Sequence, residues 1–270
     1  MPGRKATAGR IRVGVGGWTY EPWRGTFYPE DLPQKRELEH ASRQFTSIEI
    51  NGTYYGSQKP ASYIKWRDET PDDFVFSLKA PRFAVNRTVL AEAGNSIARF
   101  FASGLTELKE KLGPINWQFL PTKQFEPADF EAFLKLLPRE AAGLPLRHVV
   151  EVRHGSFRTP EFIALVRKYE VAVVIAGDSA YPQIADLTAP FVYARIMGTK
   201  AQHASGYSDA ALELWAGHAR TWASGKAPEG LDYVQPHAGD ALPRDVYLYV
   251  ISGHKVHNPA AAVALISRLA

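Results

Sequence analysis

Eight short runs rich in Val, Ile, Phe and Tyr recur along this chain, each set off from the next by a longer segment. They lie at 10–17 (RIRVGVGG), 46–51 (TSIEIN), 74–80 (FVFSLKA), 115–120 (INWQFL), 147–153 (RHVVEVR), 171–177 (VAVVIAG), 191–198 (FVYARIMG) and 246–252 (VYLYVIS). β-Branched and aromatic residues in runs of this length read as strands. A hairpin needs only a two-residue turn, whereas parallel strands need a crossover of a dozen or more residues. Spacings this long therefore predict a parallel sheet. An open doubly wound sheet is one solution; eight strands in 270 residues favour a closed, TIM-barrel-like (β/α)8 fold. With no repeat and no interdomain linker, the chain reads as a flexible basic tail over residues 1–10 followed by a single α/β domain over 11–270.

Helical spacing fills the intervals. Ile97, Phe101, Leu105, Leu108 and Leu112 repeat at three and four and predict one helix, stopped by Gly113-Pro114. Phe130, Phe133, Leu134 and Leu137 form a second stripe. Thr159-Pro160 and Asn258-Pro259 each pair an N-cap residue with proline at the first helical position. Ser208 caps a helix that would bury Leu212, Trp215, Ala219 and Trp222.

A strand buried in a barrel should be apolar on both faces. Several of these are not. Residues two apart share a face, so Glu49 pairs with Asn51, Ser77 with Lys79, Asn116 with Gln118, Glu151 with Arg153, and Arg195 with Tyr193 and Met197. Asp178 lies just past the sixth strand. The polar residues fall toward the C-terminal strand ends, where barrel enzymes build their sites. Charges buried together must be paired, and buried ion pairs add little net stability. A carboxylate–Lys–Arg pocket for a polar or anionic small molecule explains the pattern better than stability does. Glu49, Glu151, Asp178 and Lys79 are the catalytic candidates; Asn51, Gln118, Arg153, His154 and Arg195 are the binding candidates. Glu49, between two isoleucines, is the expected protonatable acid, with Glu151 orienting Arg153.

Other chemistries find less support. Without cysteine, disulfides, zinc–thiolate sites and a Cys nucleophile are excluded. No pair of histidines has metalloprotease spacing, and His237, like the others, stands apart from any such motif. Glu49, Glu151 and Asp178 have the oxygen donors for magnesium or manganese, but neighbouring Lys and Arg already offset their charge, so no metal or cofactor is expected. Gly-x-Ser-x-Gly, Walker and Rossmann patterns are missing, and Ser156 beside His154 reads as a turn residue. A net charge of +4 and a pI of about 9.1 permit a nucleic-acid partner without favouring one. No apolar run reaches membrane-spanning length, and a cytoplasmic protein is the expectation.

The stretch GGWTYEPWRGTFYP (16–29) places five aromatic rings behind the first strand. Trp18 and Tyr20 are the expected pocket walls; Phe27 and Tyr28 are expected to pack the loop onto the rim.

Taken in order, this stretch with IEINGTYYG, SLKAPR, LGPINWQFLP, EVRHGSF, Asp178 and YARIMG resembles the YecE-like family, also called domain of unknown function seventy-two. The resemblance runs from Gly14 to about Tyr249 and implies a TIM-barrel-like fold with a polar pocket at one end, but no reaction. By position, Glu49, Asn51, Lys79, Gln118, Glu151, Arg153, His154, Asp178 and Arg195 match its polar motif residues. The chain departs from the family at Met197, where His is common, at Val250-Ile251-Ser252, where an aromatic-Asn-Asn segment is common, and near Val85-Asn86, where a Thr-His pair is expected. These departures argue against a His-dependent mechanism. The remaining expectations are a hydrolase, lyase or isomerase acting on a sugar- or phosphate-type metabolite, a nucleic-acid-binding or nucleic-acid-processing protein, or a non-catalytic binding module.

Overall fold

The computed structural model describes residues 8–235 and 242–270. Eight parallel strands close into a barrel: β1 (Ile11–Gly16), β2 (Ser47–Ile50), β3 (Val75–Lys79), β4 (Leu112–Gln118), β5 (His148–Glu151), β6 (Ala172–Gly177), β7 (Phe191–Ile196) and β8 (Asp245–Val250). Each pairs with its neighbours in sequence, and β1 closes the ring against β8 through Ile11–Val246 to Val15–Val250. All eight strand runs read from the sequence are present. Most of the tail expected over 1–10, and His237, lie outside the described residues. Gly9 and Arg10 do not behave as tail: the Gly9 amide donates to the Ala223 carbonyl and the Arg10 amide to Asp245.

Helices α1 (Glu37–Gln44), α2 (Gly52–Tyr55), α3 (Pro60–Asp68), α4 (Arg82–Val85), α5 (Gly94–Ala102), α6 (Pro127–Leu136), α7 (Pro160–Lys168), α8 (Asp209–Ala223) and α9 (Asn258–Leu269) surround the barrel. Thr159 and Ser208 cap α7 and α8 as the sequence predicts, accepting from Phe162 and Ala211 amides. Asn258 does not cap α9; its side chain accepts from Thr199 and donates to the Ser252 carbonyl, tying the β7 and β8 exits together. The single helix expected over 97–112 is two elements. Gly104, at φ 92°, breaks the chain where Pro60 packs against it, a short 3-10 stretch carries Leu105 and Leu108, and β4 begins at Leu112. Gly113-Pro114 therefore lie within a strand. No helix joins β6 to β7; residues 178–190 run irregularly, anchored where Asp186 accepts from the amides of Val234 and Gln235.

Two apolar layers result. The outer layer packs strand residues such as Ile48, Phe76, Trp117 and Val150 against the helices. The inner one fills the barrel with Val75, Val149, Val174, Tyr193, Tyr247 and Tyr249. β1 presents Gly14 inward, and a side chain there would overlap the Ser47 carbonyl of β2. Close approach of the two backbones requires glycine at that position.

Candidate active site at the mouth of the barrel

Strand alternation turns the polar faces of β2, β4, β5 and β7 inward, and closure brings six of their side chains, with Arg153 just beyond β5, into one network. Arg195, on β7, is its centre, 4% exposed. Its Nη2 donates to Glu49 Oε1 on β2 at 2.8 Å, and its Nη1 to Glu151 Oε2 on β5 at 2.5 Å and to Gln118 Oε1 on β4 at 3.3 Å. Arg153, just beyond β5, donates from Nη2 to Glu151 Oε1 at 2.5 Å and to Gln118 Oε1 at 2.9 Å. Asn116 Nδ2 donates to Glu151 Oε2 at 3.2 Å, and the Tyr193 hydroxyl to Glu49 Oε2 at 2.6 Å. Both oxygens of each carboxylate are thus held by donors. Burial pushes the Glu151 carboxyl up, but Arg195 and Arg153 outweigh it and hold the group below its ordinary range. Burial disfavours the Arg195 charge, yet Glu151 and Glu49 raise its pKa further.

Lys79, at the end of β3, faces the same space and is 9% exposed. It makes neither an ion pair nor a side-chain hydrogen bond among the described residues; its ammonium rests 4.4 Å from the centroid of the Tyr54 ring on α2. Burial, then Arg195, lowers its pKa from 10.5 to about 8, against the pull of Glu49 and Glu151. Three cations (Lys79, Arg153, Arg195) meet two carboxylates (Glu49, Glu151), an excess of one positive charge in a low-dielectric site. Arg195 Nε and Asn116 Oδ1 are buried without partners among the described residues.

Below this network lies a layer of hydroxyls. The Tyr193 hydroxyl is 2.8 Å from Ser77 Oγ, and the Tyr249 hydroxyl 2.6 Å from Ser47 Oγ. The two serines end on the carbonyls of Pro114 and Val75. Burial raises the pKa of both tyrosines, so they act as neutral hydrogen-bonding struts, Tyr193 holding Glu49 from beneath and Tyr249 holding Ser47.

The other candidates sit elsewhere. Trp18 was expected to line the pocket but turns outward, edge-on to Trp66 at 5.3 Å and near Phe76 of the outer layer. Tyr20 lies under the Lys255 ammonium, 3.9 Å from it, and packs on Trp23. Phe27 and Tyr28 pack the loop onto the rim through Phe45 and His40. Asp178, expected among the charges, is exposed and accepts from the Trp215 indole at 2.8 Å. His154 binds Ser156 and caps a turn, and Ser156 in turn accepts from the Phe125 amide. Asn51 is half-buried at the rim beside Gly16. Sequence reasoning missed Tyr54 and Tyr181, whose ring lies 4.2 Å from the Arg153 guanidinium. Both sit in non-strand segments, where no alternation points to the barrel. Tyr193 was detectable, since it shares a face with Arg195.

Two cavities flank the network. One of about 430 Å³ lies between the β3 and β4 exits and includes Asn86, which donates to the Tyr54 hydroxyl. The other, about 550 Å³, follows β6 and includes Asp178 and Tyr181. Lys79 lines neither. No group of three or more His, Asp or Glu suited to a metal occurs among the described residues. No helix among them is long and apolar enough to cross a membrane.

The family model for "protein of unknown function DUF72" matches residues 12–270, nearly the whole chain. The chain belongs to the DUF72 family. UPF0759 protein YecE of Escherichia coli K12 is 29% identical over 150 residues, which cover 54% of this chain and 50% of YecE. The match thus spans about half the length of that relative. Among solved structures, a DUF72 family protein of Thermotoga maritima superposes with a TM-score of 0.69 at 20% identity, covering 95% of this chain and 97% of that one. A DUF72 family protein of Enterococcus faecalis gives 0.69 at 17%, covering 97% and 98%. At these identities the likeness establishes the DUF72 barrel and leaves the chemistry to be argued from the residues.

Proposed function

We propose that this DUF72 protein is an enzyme that binds a small anionic metabolite, of sugar-phosphate or carboxylate type, at the barrel mouth, with Lys79 as its acid/base group. The observation that carries this is the free Lys79 ammonium, the one cation of the network without a carboxylate within 4.0 Å among the described residues. A buried charge without a counterion costs free energy, and an anionic ligand relieves that cost. Arg153 keeps 16% of its side chain exposed, which suits it to grip the same anion. The acid/base role moves here from Glu49 to Lys79, because Arg195 and Tyr193 occupy both Glu49 oxygens. A lysine poised near neutrality by burial is suited to proton transfer. The reading carries with it a cytoplasmic location, where such metabolites are found.

A screen of sugar phosphates, hydroxy acids and oxo acids by thermal stabilisation tests it, since a ligand of the folded state raises the melting temperature. Stabilisation that disappears in Lys79→Met supports the site; no stabilisation by any anion removes it.

A second reading has its own observation. Tyr55 and Phe83 are exposed at the same rim, and the Arg82 guanidinium lies 5.1 Å from the Phe83 ring. Exposed rings interleaved with Arg suit stacking of unpaired bases. Fluorescence titration with a single-stranded oligonucleotide at low and high salt decides it; no binding at low salt ends it. Against a purely structural role stands the network's incomplete pairing at Asn116 Oδ1 and Arg195 Nε among the described residues.

A further inference from the structure

We propose that Lys79 is a nucleophilic amine, and that the substrate of this site is an aldehyde or ketone that also carries an anionic group. This rests on the anion-site reading above and deepens it by naming the substrate class.

Four observations converge on Lys79. It stands at the C-terminal end of a barrel strand, 9% exposed, in a space shared with two arginines. The carboxylates that would otherwise tie up its ammonium already have both oxygens engaged: Glu49 by Arg195 and Tyr193, Glu151 by Arg195, Arg153 and Asn116. Its nitrogen lies 4.4 Å from the Tyr54 ring centroid, and Asn86 holds the Tyr54 hydroxyl, so the ring that supports the amine is itself fixed. Burial and the Arg195 charge bring its pKa to about 8, so roughly a tenth of the amine is neutral at pH 7. Desolvation beside another cation is an established way of activating a lysine toward carbonyl groups. Lys255, the other lysine over aromatic rings at this end, is only half-buried and packs on the Tyr20 ring at 3.9 Å.

The chemistry closes without any further reagent. The neutral amine attacks the carbonyl carbon, the C=O electron pair moves to oxygen, and proton transfer gives a carbinolamine. Its hydroxyl leaves as water as the C=N bond forms. In sum, ammonium plus carbonyl yields protonated imine plus water, with no oxidation and no change of charge. Conservation of the positive charge matters in this site. The iminium replaces the ammonium over Tyr54, where a cation is favoured, and leaves the balance against Glu49 and Glu151 undisturbed. The iminium then serves as an electron sink for breaking an adjacent C–H or C–C bond, while Arg153 holds the anionic group.

Pyruvate, a ketone with a carboxylate, is the probe, and lactate is its counterpart without the carbonyl. The protein is incubated with pyruvate, reduced with borohydride, and mapped by mass spectrometry; melting temperatures are read with both anions. The expected result is a single reduced adduct at Lys79, lost in Lys79→Arg and Lys79→Met but kept in Lys255→Arg, with both anions stabilising the wild type. Stabilisation by lactate and pyruvate with no adduct at Lys79 overturns the covalent proposal and leaves the anion site standing. An adduct spread over surface lysines and unchanged in Lys79→Arg overturns it as well. No adduct and no stabilisation by either anion overturns both.

Discussion

The ammonium of Lys79 rests 4.4 Å from the centre of the Tyr54 ring, and among the described residues no carboxylate comes within 4.0 Å of it. A buried cation held by a ring face alone is a destabilising arrangement, and it stands at the end of the barrel where barrel enzymes build their sites. Its consequences for stability are measurable apart from any activity.

Lys79→Met is expected to be more stable than the wild type at pH 7, by up to about 3 kcal/mol for a pKa displaced from 10.5 to about 8. The direction follows from proton counting. Below pH 8 both states hold the proton and the full cost of burying it is present. Between 8 and 10.5 the unfolded chain holds more protons, so wild-type stability rises with pH. Above 10.5 both are neutral and the cost is gone. Urea unfolding of both proteins across this range should therefore give curves that converge as pH rises. A Lys79→Met protein less stable than the wild type at pH 7 contradicts the reading.

Arg195 joins Glu49 and Glu151, residues 146 and 44 positions away in the chain. Removing it as Arg195→Met leaves the buried Glu49 with no ion-pair partner and Glu151 with Arg153 alone, at a cost of about 3–5 kcal/mol. Adding Glu49→Gln and Glu151→Gln to that variant should recover much of the loss. Urea midpoints check both statements, and an Arg195→Met protein of wild-type stability refutes them.

Gly14 and Gly16 share the inner face of β1 but differ in what surrounds them. A methyl on Gly14 overlaps the Ser47 carbonyl of β2, whereas on Gly16 it meets Asn51 Nδ2, the end of a side chain, at 2.7 Å. Gly14→Ala should destabilise by more than about 3 kcal/mol or prevent folding, since backbone cannot yield as a side chain does. Gly16→Ala should fold and lose stability by no more than about 1 kcal/mol. Thermal unfolding of the pair tests the β1–β2 closure.

Much of this was legible in the sequence because strand alternation is a local property. The pairs Glu49/Asn51, Ser77/Lys79 and Glu151/Arg153 predict which side chains point inward from spacing alone, and the barrel directs them to one end. Which charge remains free was not legible, because pairing depends on which strands closure brings together. Glu49 reads as apolar-flanked, yet those isoleucines face the helices while Arg195 arrives from the opposite side of the barrel. Trp18 and Asp178 were misplaced for a related reason: both follow strands in loops, where period two no longer assigns a direction. The helix expected through Leu112 failed at Gly104, whose left-handed backbone ends the stripe nine residues before the expected stop at Gly113.

The central claim, an anion held by the free charge of Lys79, is tested most directly by calorimetric titration with sulfate, whose own charge is constant from pH 6.5 to 9.5. The wild-type affinity should be steady below about pH 8 and fall above it, approaching tenfold per pH unit as Lys79 loses its proton. Lys79→Met should bind no sulfate at any of these pH values. A wild-type affinity that is flat across the range, or equal binding by Lys79→Met, would contradict the account.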